Sequence, residues 1–75
     1  MDQLVDNLTI RLMGDVRVQS ITQKIPIVFL TEEDIRQLVL MEKHNLDNDS
    51  HAIITRIDRT RPFTRENIRL EIIKF

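Results

Sequence analysis

Hydrophobic and polar positions along this chain follow more than one period. Over residues 2–13 two readings compete. Leu4, Val5, Leu8 and Leu12 recur at helical spacing, with Gly14 placed as the residue just past a helix end. Leu8, Ile10 and Leu12 also alternate, and Val16 and Val18 continue the alternation beyond a Met13-Gly14-Asp15 turn. A three-residue loop there sets Leu12 against Val16 and Ile10 against Val18, so the apolar faces agree. The β-branched residues Thr9, Ile10, Val16 and Val18 favour the hairpin, and the helix is the alternative.

Residues 25–30, Ile-Pro-Ile-Val-Phe-Leu, read as a short buried strand, which Pro26 confines to a sheet edge or a strand start. A helix follows. Thr31 is a good N-cap, and Glu32, Glu33 and Asp34 put negative charge in the first turn, where the helix dipole favours it. Ile35, Leu38 and Val39 form its buried stripe, flanked by Leu40 and Met41. The helix is expected to fade near His44-Asn45, before the polar Asp47-Asn48-Asp49-Ser50 loop. Ile53, Ile54 and Thr55 in a row make residues 52–58 a strand. Arg59 to Phe63 is a turn in which Pro62 supplies a fixed φ. Ile68, Leu70 and Ile72 alternate with Arg69, Glu71 and Ile73, which marks a half-buried C-terminal strand. The fold class expected is α+β: a single small domain over residues 1–75, with a small antiparallel sheet and one main amphipathic helix. In the alternative, Ser50 caps a second helix through Ala52, Ile53, Ile54 and Ile57, giving a helix-turn-helix-like arrangement.

Within residues 53–70, Arg56, Ile57, Asp58, Phe63, Thr64, Glu66, Asn67 and Arg69 stand at a spacing that resembles the core of phage-type HNH (ββα-metal) endonucleases. That core runs hydrophobic-Asp-Arg-Ile-Asp, a short turn, Tyr-Thr-x-Glu-Asn, then hydrophobic-Arg-hydrophobic; Phe63 takes the place of the usual Tyr. In the family one His or Asp activates water, further His or Asn side chains hold a divalent metal, and a central Asn orients the catalytic loop. The metal lowers the pKa of the water and stabilises the leaving oxygen. Of these, only the Asn is matched, by Asn67. The position before Arg-Ile is Thr55, whose hydroxyl is no base near neutral pH and a poor ligand for a hard divalent ion. The sequence also stops at Phe75, where the family's metal-binding helix would begin. The resemblance therefore implies a degenerate, truncated module: not an enzyme, with no catalytic residues, no metal and no cofactor.

Composition narrows the picture further. A chain of 75 residues without cysteine has neither a disulfide nor a Cys-based zinc site to support a small core. Self-association, or folding against a partner, is the expected remedy. No basic n-region with an apolar run and no apolar stretch of about 20 residues is present, so neither a secretory signal nor a membrane partner is expected. A cytoplasmic protein follows, in the host cytoplasm if phage-encoded. The formal net charge of −1 argues against a generic polyanion binder, but the charge is uneven. Acidic residues dominate before residue 50, whereas Arg56, Arg59, Arg61, Arg65 and Arg69 crowd the later part. Their planar guanidinium groups suit phosphate and carboxylate. These five are the candidate contacts to nucleic acid or to an acidic partner surface. Asp58, Thr64 and Asn67 are the candidate braces of the turn, because short polar side chains bond nearby backbone N–H groups. His44 and His51 flank an acidic loop without the glycine and distal Glu of a calcium site, so that loop reads as solvated. Leu40, Met41 and Leu46 lie beyond the main helical stripe and offer an apolar patch to a partner. The leading expectation is a small non-catalytic binding or regulatory protein of phage type that works through its arginine-rich turn. The alternative is an inhibitor that binds a host enzyme or defence complex through the apolar helix or the acidic half.

Overall fold

The computed structural model describes residues 3–46 and 50–74. Its elements run α1 (Gln3–Gln23), α2 (Glu32–Met41), a 3₁₀ turn (Lys43–Asn45), β1 (Ser50–Arg56) and β2 (Ile68–Lys74). The fold is α+β, with two helices packed on a two-stranded antiparallel sheet. The Asp47-Asn48-Asp49 part of the acidic loop lies outside the described residues.

The hairpin expected from residues 8–18 is a helix. Val5, Thr9, Leu12, Met13 and Val16 form one buried stripe at helical spacing against α2 and β1. Burying that set outweighs exposing Ile10 and Val18, which are left 62% and 59% accessible. Thr9 tolerates the helix interior because its Oγ1 donates to the Val5 carbonyl at 2.7 Å. Gly14 is not past a helix end but inside one, and a Cβ added there would meet nothing within 4 Å. The helix ends instead at Lys24, whose φ of 56° is left-handed. The Ile25 N–H then reaches back to the Ser20 carbonyl at 3.0 Å, the closing bond of a Schellman motif, with lysine where glycine is usual.

Residues 25–30 do not form the regular buried strand expected of them. They make a single parallel bridge, Ile27 to Phe63. The Phe63 N–H donates to the Pro26 carbonyl at 3.0 Å and the Val28 N–H to the Phe63 carbonyl at 2.9 Å. Leu30 is buried, but Phe29 turns out to solvent, 86% accessible with a φ of 52°. That backbone reversal turns the segment toward α2, and no extended run can continue through it.

α2 starts as the sequence implies. Thr31 Oγ1 accepts from the Asp34 N–H at 3.3 Å, and the Asp34 carboxylate accepts from the Thr31 N–H at 2.9 Å, a capping box. Ile35 and Val39 are fully buried and Leu38 packs beside them. Residues 50–56 form strand rather than the helix of the alternative, and Ile57 lies just past its end. Asp6 of α1 and Arg36 of α2 form an ion pair that ties the helices together.

The strands pair from Arg56 opposite Ile68 to Ser50 opposite Lys74 without a break. Just past them the Ile57 N–H donates to the Asn67 carbonyl at 2.9 Å. Antiparallel alternation then makes Thr55, Ile53 and His51 the residues bonded to Arg69, Glu71 and Ile73. Ala52 and Ile54 direct their backbone groups away from β2. α1 covers that outer edge: Arg11 Nη2 donates to the Ala52 carbonyl at 2.7 Å and Gln19 Nε2 to the Ile54 carbonyl at 3.2 Å. Ala52, Ile54, Phe63 and Ile68 join the stripes of α1 and α2 in one core.

Candidate nucleic-acid interface

The loop between the strands, residues 57–67, carries most of the residues singled out in the sequence, and one side chain organises it. Asn67 is buried, at 7% accessibility. Its Oδ1 accepts from the Asp58 N–H at 2.7 Å. Its Nδ2 donates to the carbonyls of Asp58 at 2.9 Å, Pro62 at 2.9 Å and Arg61 at 3.3 Å. One amide thus ties down both limbs of the loop, and its two N–H hydrogens are shared among three carbonyls. Asp58 makes a smaller turn of its own, accepting from the Thr60 N–H at 2.9 Å and the Thr60 hydroxyl at 2.6 Å. Those bonds, with the nearby Arg61 and Arg56 charges, hold the Asp58 carboxyl below the usual carboxylate range. Thr64 contributes through its backbone: its carbonyl accepts from the Asn67 N–H at 3.0 Å. Thr60, not singled out in the sequence, supplies the side-chain bond. Its signal was the Asp-x-Thr spacing of a side-chain-bonded turn.

The five arginines do not share one surface. Arg56 is committed to the fold. Its Nη1 donates to the carbonyls of Arg59 at 2.5 Å and Arg61 at 2.9 Å, and its guanidinium lies 5.5 Å from the centroid of the buried Phe63 ring. Arg69 lies on the outer sheet face opposite Thr55, where Nε donates to the Thr55 Oγ1 at 3.3 Å and Nη2 pairs with Glu71. Arg65 lies between two carboxylates, 4.0 Å from Asp34 and 3.9 Å from Glu66. Arg59 and Arg61 are exposed at the tip, and neither guanidinium makes a hydrogen bond or ion pair among the described residues.

Two hollows flank the loop. One, of about 350 Å³, is lined by Arg56, Arg59 and Arg69 together with Thr55, Gln19 and Gln23. The other, of about 370 Å³, is lined by Arg61, Pro62, Thr64, Glu66 and Asn67. The loop is therefore a braced tip with Arg59 lining one hollow and Arg61 the other. Gln19 and Gln23 reach the first hollow from the far end of α1, a long-range approach that no local pattern marks. Thr55 is bonded to an arginine rather than to any carboxylate or histidine. Among the described residues no three His, Cys, Asp or Glu side chains converge to hold a metal ion. None of their helices is long and apolar enough to cross a membrane. No protein-family model, curated protein or solved structure matches this chain.

Proposed function

We propose that this chain is a small non-catalytic nucleic-acid-binding protein of the cytoplasm, regulatory rather than enzymatic, and that the loop 57–67 enters a duplex groove. The observation that carries this reading is the contrast within the loop. Its backbone is held by a saturated Asn67 amide, while Arg59 and Arg61 each line a different hollow and neither guanidinium makes a hydrogen bond or ion pair among the described residues. A major groove of about 12 Å admits a two-stranded ribbon. A tip with a cation on each flank meets phosphates on both walls at once. Arg65 and Arg69, each already beside a carboxylate, add less. With a net charge of −1, attraction at long range is weak, which places affinity in the non-specific range of about 10⁻⁴–10⁻⁶ M at physiological salt.

The test is fluorescence anisotropy of labelled duplex and single-stranded oligonucleotides over a salt series. The expected result is preference for duplex, and for Arg59→Ala with Arg61→Ala a salt dependence flatter by about two units of slope. Binding unchanged by the double substitution overturns the proposal.

A second reading, an inhibitor that binds a host enzyme or defence complex, draws on Phe29. Its side chain is 86% accessible on a backbone φ of 52°, a conformation uncommon for a bulky residue. Ile10, Val18 and Ile21 add an exposed apolar face on α1. A pull-down from host lysate, with and without nuclease treatment, separates the two. Capture that survives nuclease and is lost in Phe29→Ala supports the inhibitor.

A further inference from the structure

The two edges of the sheet are treated differently. On β1 the outward carbonyls of Ala52 and Ile54 are taken by Arg11 and Gln19. On β2 the ladder uses Arg69, Glu71 and Ile73, so Ile68, Leu70 and Ile72 direct their N–H and C=O groups outward. No hydrogen bond from any described residue reaches these outward groups. An open hollow of about 390 Å³, lined by Leu70, Ile72, Glu42 and Asn45, lies beside them. Bare edges are templates for another strand, and proteins usually blunt them with proline, a bulge or an inward-facing charge. From Ile68 to Ile72 there is none of these.

We infer that β2 pairs with β2 of a second copy of this chain, giving a continuous four-stranded antiparallel sheet about a two-fold axis at Leu70. The register follows from the charges. Edge-facing residues must bond to edge-facing residues, so Ile68, Leu70 and Ile72 pair among themselves. Centring the axis on Leu70 sets Ile68 opposite Ile72 and Arg69 opposite Glu71, twice. A shift one way sets Glu71 opposite Glu71, and a shift the other way sets Arg69 opposite Arg69; like charges directly opposed are unfavourable. A parallel arrangement matches each charge with itself. Only the Leu70-centred register joins a continuous apolar row on the inner face to two ion pairs on the outer face. The two arginine tips then lie at opposite ends of the sheet. This inference is independent of what those tips bind.

The test is sedimentation equilibrium of the full chain together with Arg69→Glu and Glu71→Arg, separately and mixed. The wild-type chain should dimerise reversibly. Each single variant brings like charges together and should dissociate roughly tenfold more readily. An equimolar mixture should recover dimers, because each carboxylate of one variant then meets an arginine of the other. An effect confined to one chain cannot produce that rescue. A second measurement does not depend on the charge variants. Leu70→Cys, in a chain with no cysteine of its own, should cross-link under mild oxidation while Ile57→Cys does not. A wild-type monomer at all concentrations, a dimer indifferent to both charge variants, a mixture that stays monomeric, or equal cross-linking of the two cysteine variants each overturns the inference.

Discussion

Replacing Asn67 with alanine should cost this protein a large part of its stability. The substitution deletes four hydrogen bonds, one accepted from Asp58 N–H and three donated to the carbonyls of Asp58, Arg61 and Pro62. At a net value near 1 kcal/mol each, the gross loss is about 4 kcal/mol. Asp58 and Arg61 are exposed, so their freed backbone groups regain water and return part of it. A net loss of roughly 2–3 kcal/mol remains, from a total that scales to about 4–11 kcal/mol for a chain of this length. The melting midpoint should fall by roughly 10–20 °C, read by circular dichroism, with an unchanged urea m-value. Asn67→Asp is the sharper companion. It keeps an oxygen for the Asp58 N–H but turns an anion toward three carbonyls, so at neutral pH it should be at least as damaging. It should recover in acid, when the carboxyl regains a proton to donate. An Asn67→Ala midpoint within about 3 °C of wild type would refute the view that this amide holds the loop.

Gly14→Ala should stabilise the protein by about 0.5–1 kcal/mol and raise the midpoint by a few degrees, because α1 loses a helix-breaking residue and the new methyl meets nothing within 4 Å; a lower midpoint contradicts the unobstructed helical setting of Gly14. Acid should weaken the α2 cap. The Thr31 backbone bond, then the Thr31 hydroxyl and the Arg65 charge, lower the Asp34 carboxyl below its ordinary 3.8, so its contribution is complete above that value and is lost as pH falls through the folded pKa. Melting wild type and Asp34→Asn in parallel should show a gap that is constant above about pH 5 and closes below about pH 4; a gap independent of pH refutes it. Supercoiled plasmid incubated with magnesium, manganese, zinc or nickel should stay intact, since Thr55 is engaged by Arg69 and the Asn67 amide by the loop backbone. Metal-dependent nicking that co-elutes with the protein, and is altered by Thr55→Val, would overturn this.

Where the determinants are local, the sequence alone was sufficient. Thr31 with Asp34 closes a capping box within one turn, and β-branched Ile53, Ile54 and Thr55 commit residues 50–56 to a strand. Asn67 braces a loop nine residues or fewer from each of its partners, within reach of a short-range pattern. The choice over residues 3–23 was different in kind. That stretch holds a helical and an alternating period together, and only packing decides between them. α1 forms because Val5, Leu12 and Val16 all reach a core supplied by Ile35, Val39 and Ile54. Phe29 likewise left its expected strand because the chain reverses there to start α2. The arginines show the same division. Their crowding is plain in the sequence, but which partner each one finds, near in the chain or across the sheet, is set by the folded backbone. Phe63 and two loop carbonyls occupy Arg56, Thr55 and Glu71 occupy Arg69, and Asp34 draws on Arg65. Arg59 and Arg61 are left exposed at the tip of the braced loop, each lining a different hollow, and only the tertiary structure carries that distinction.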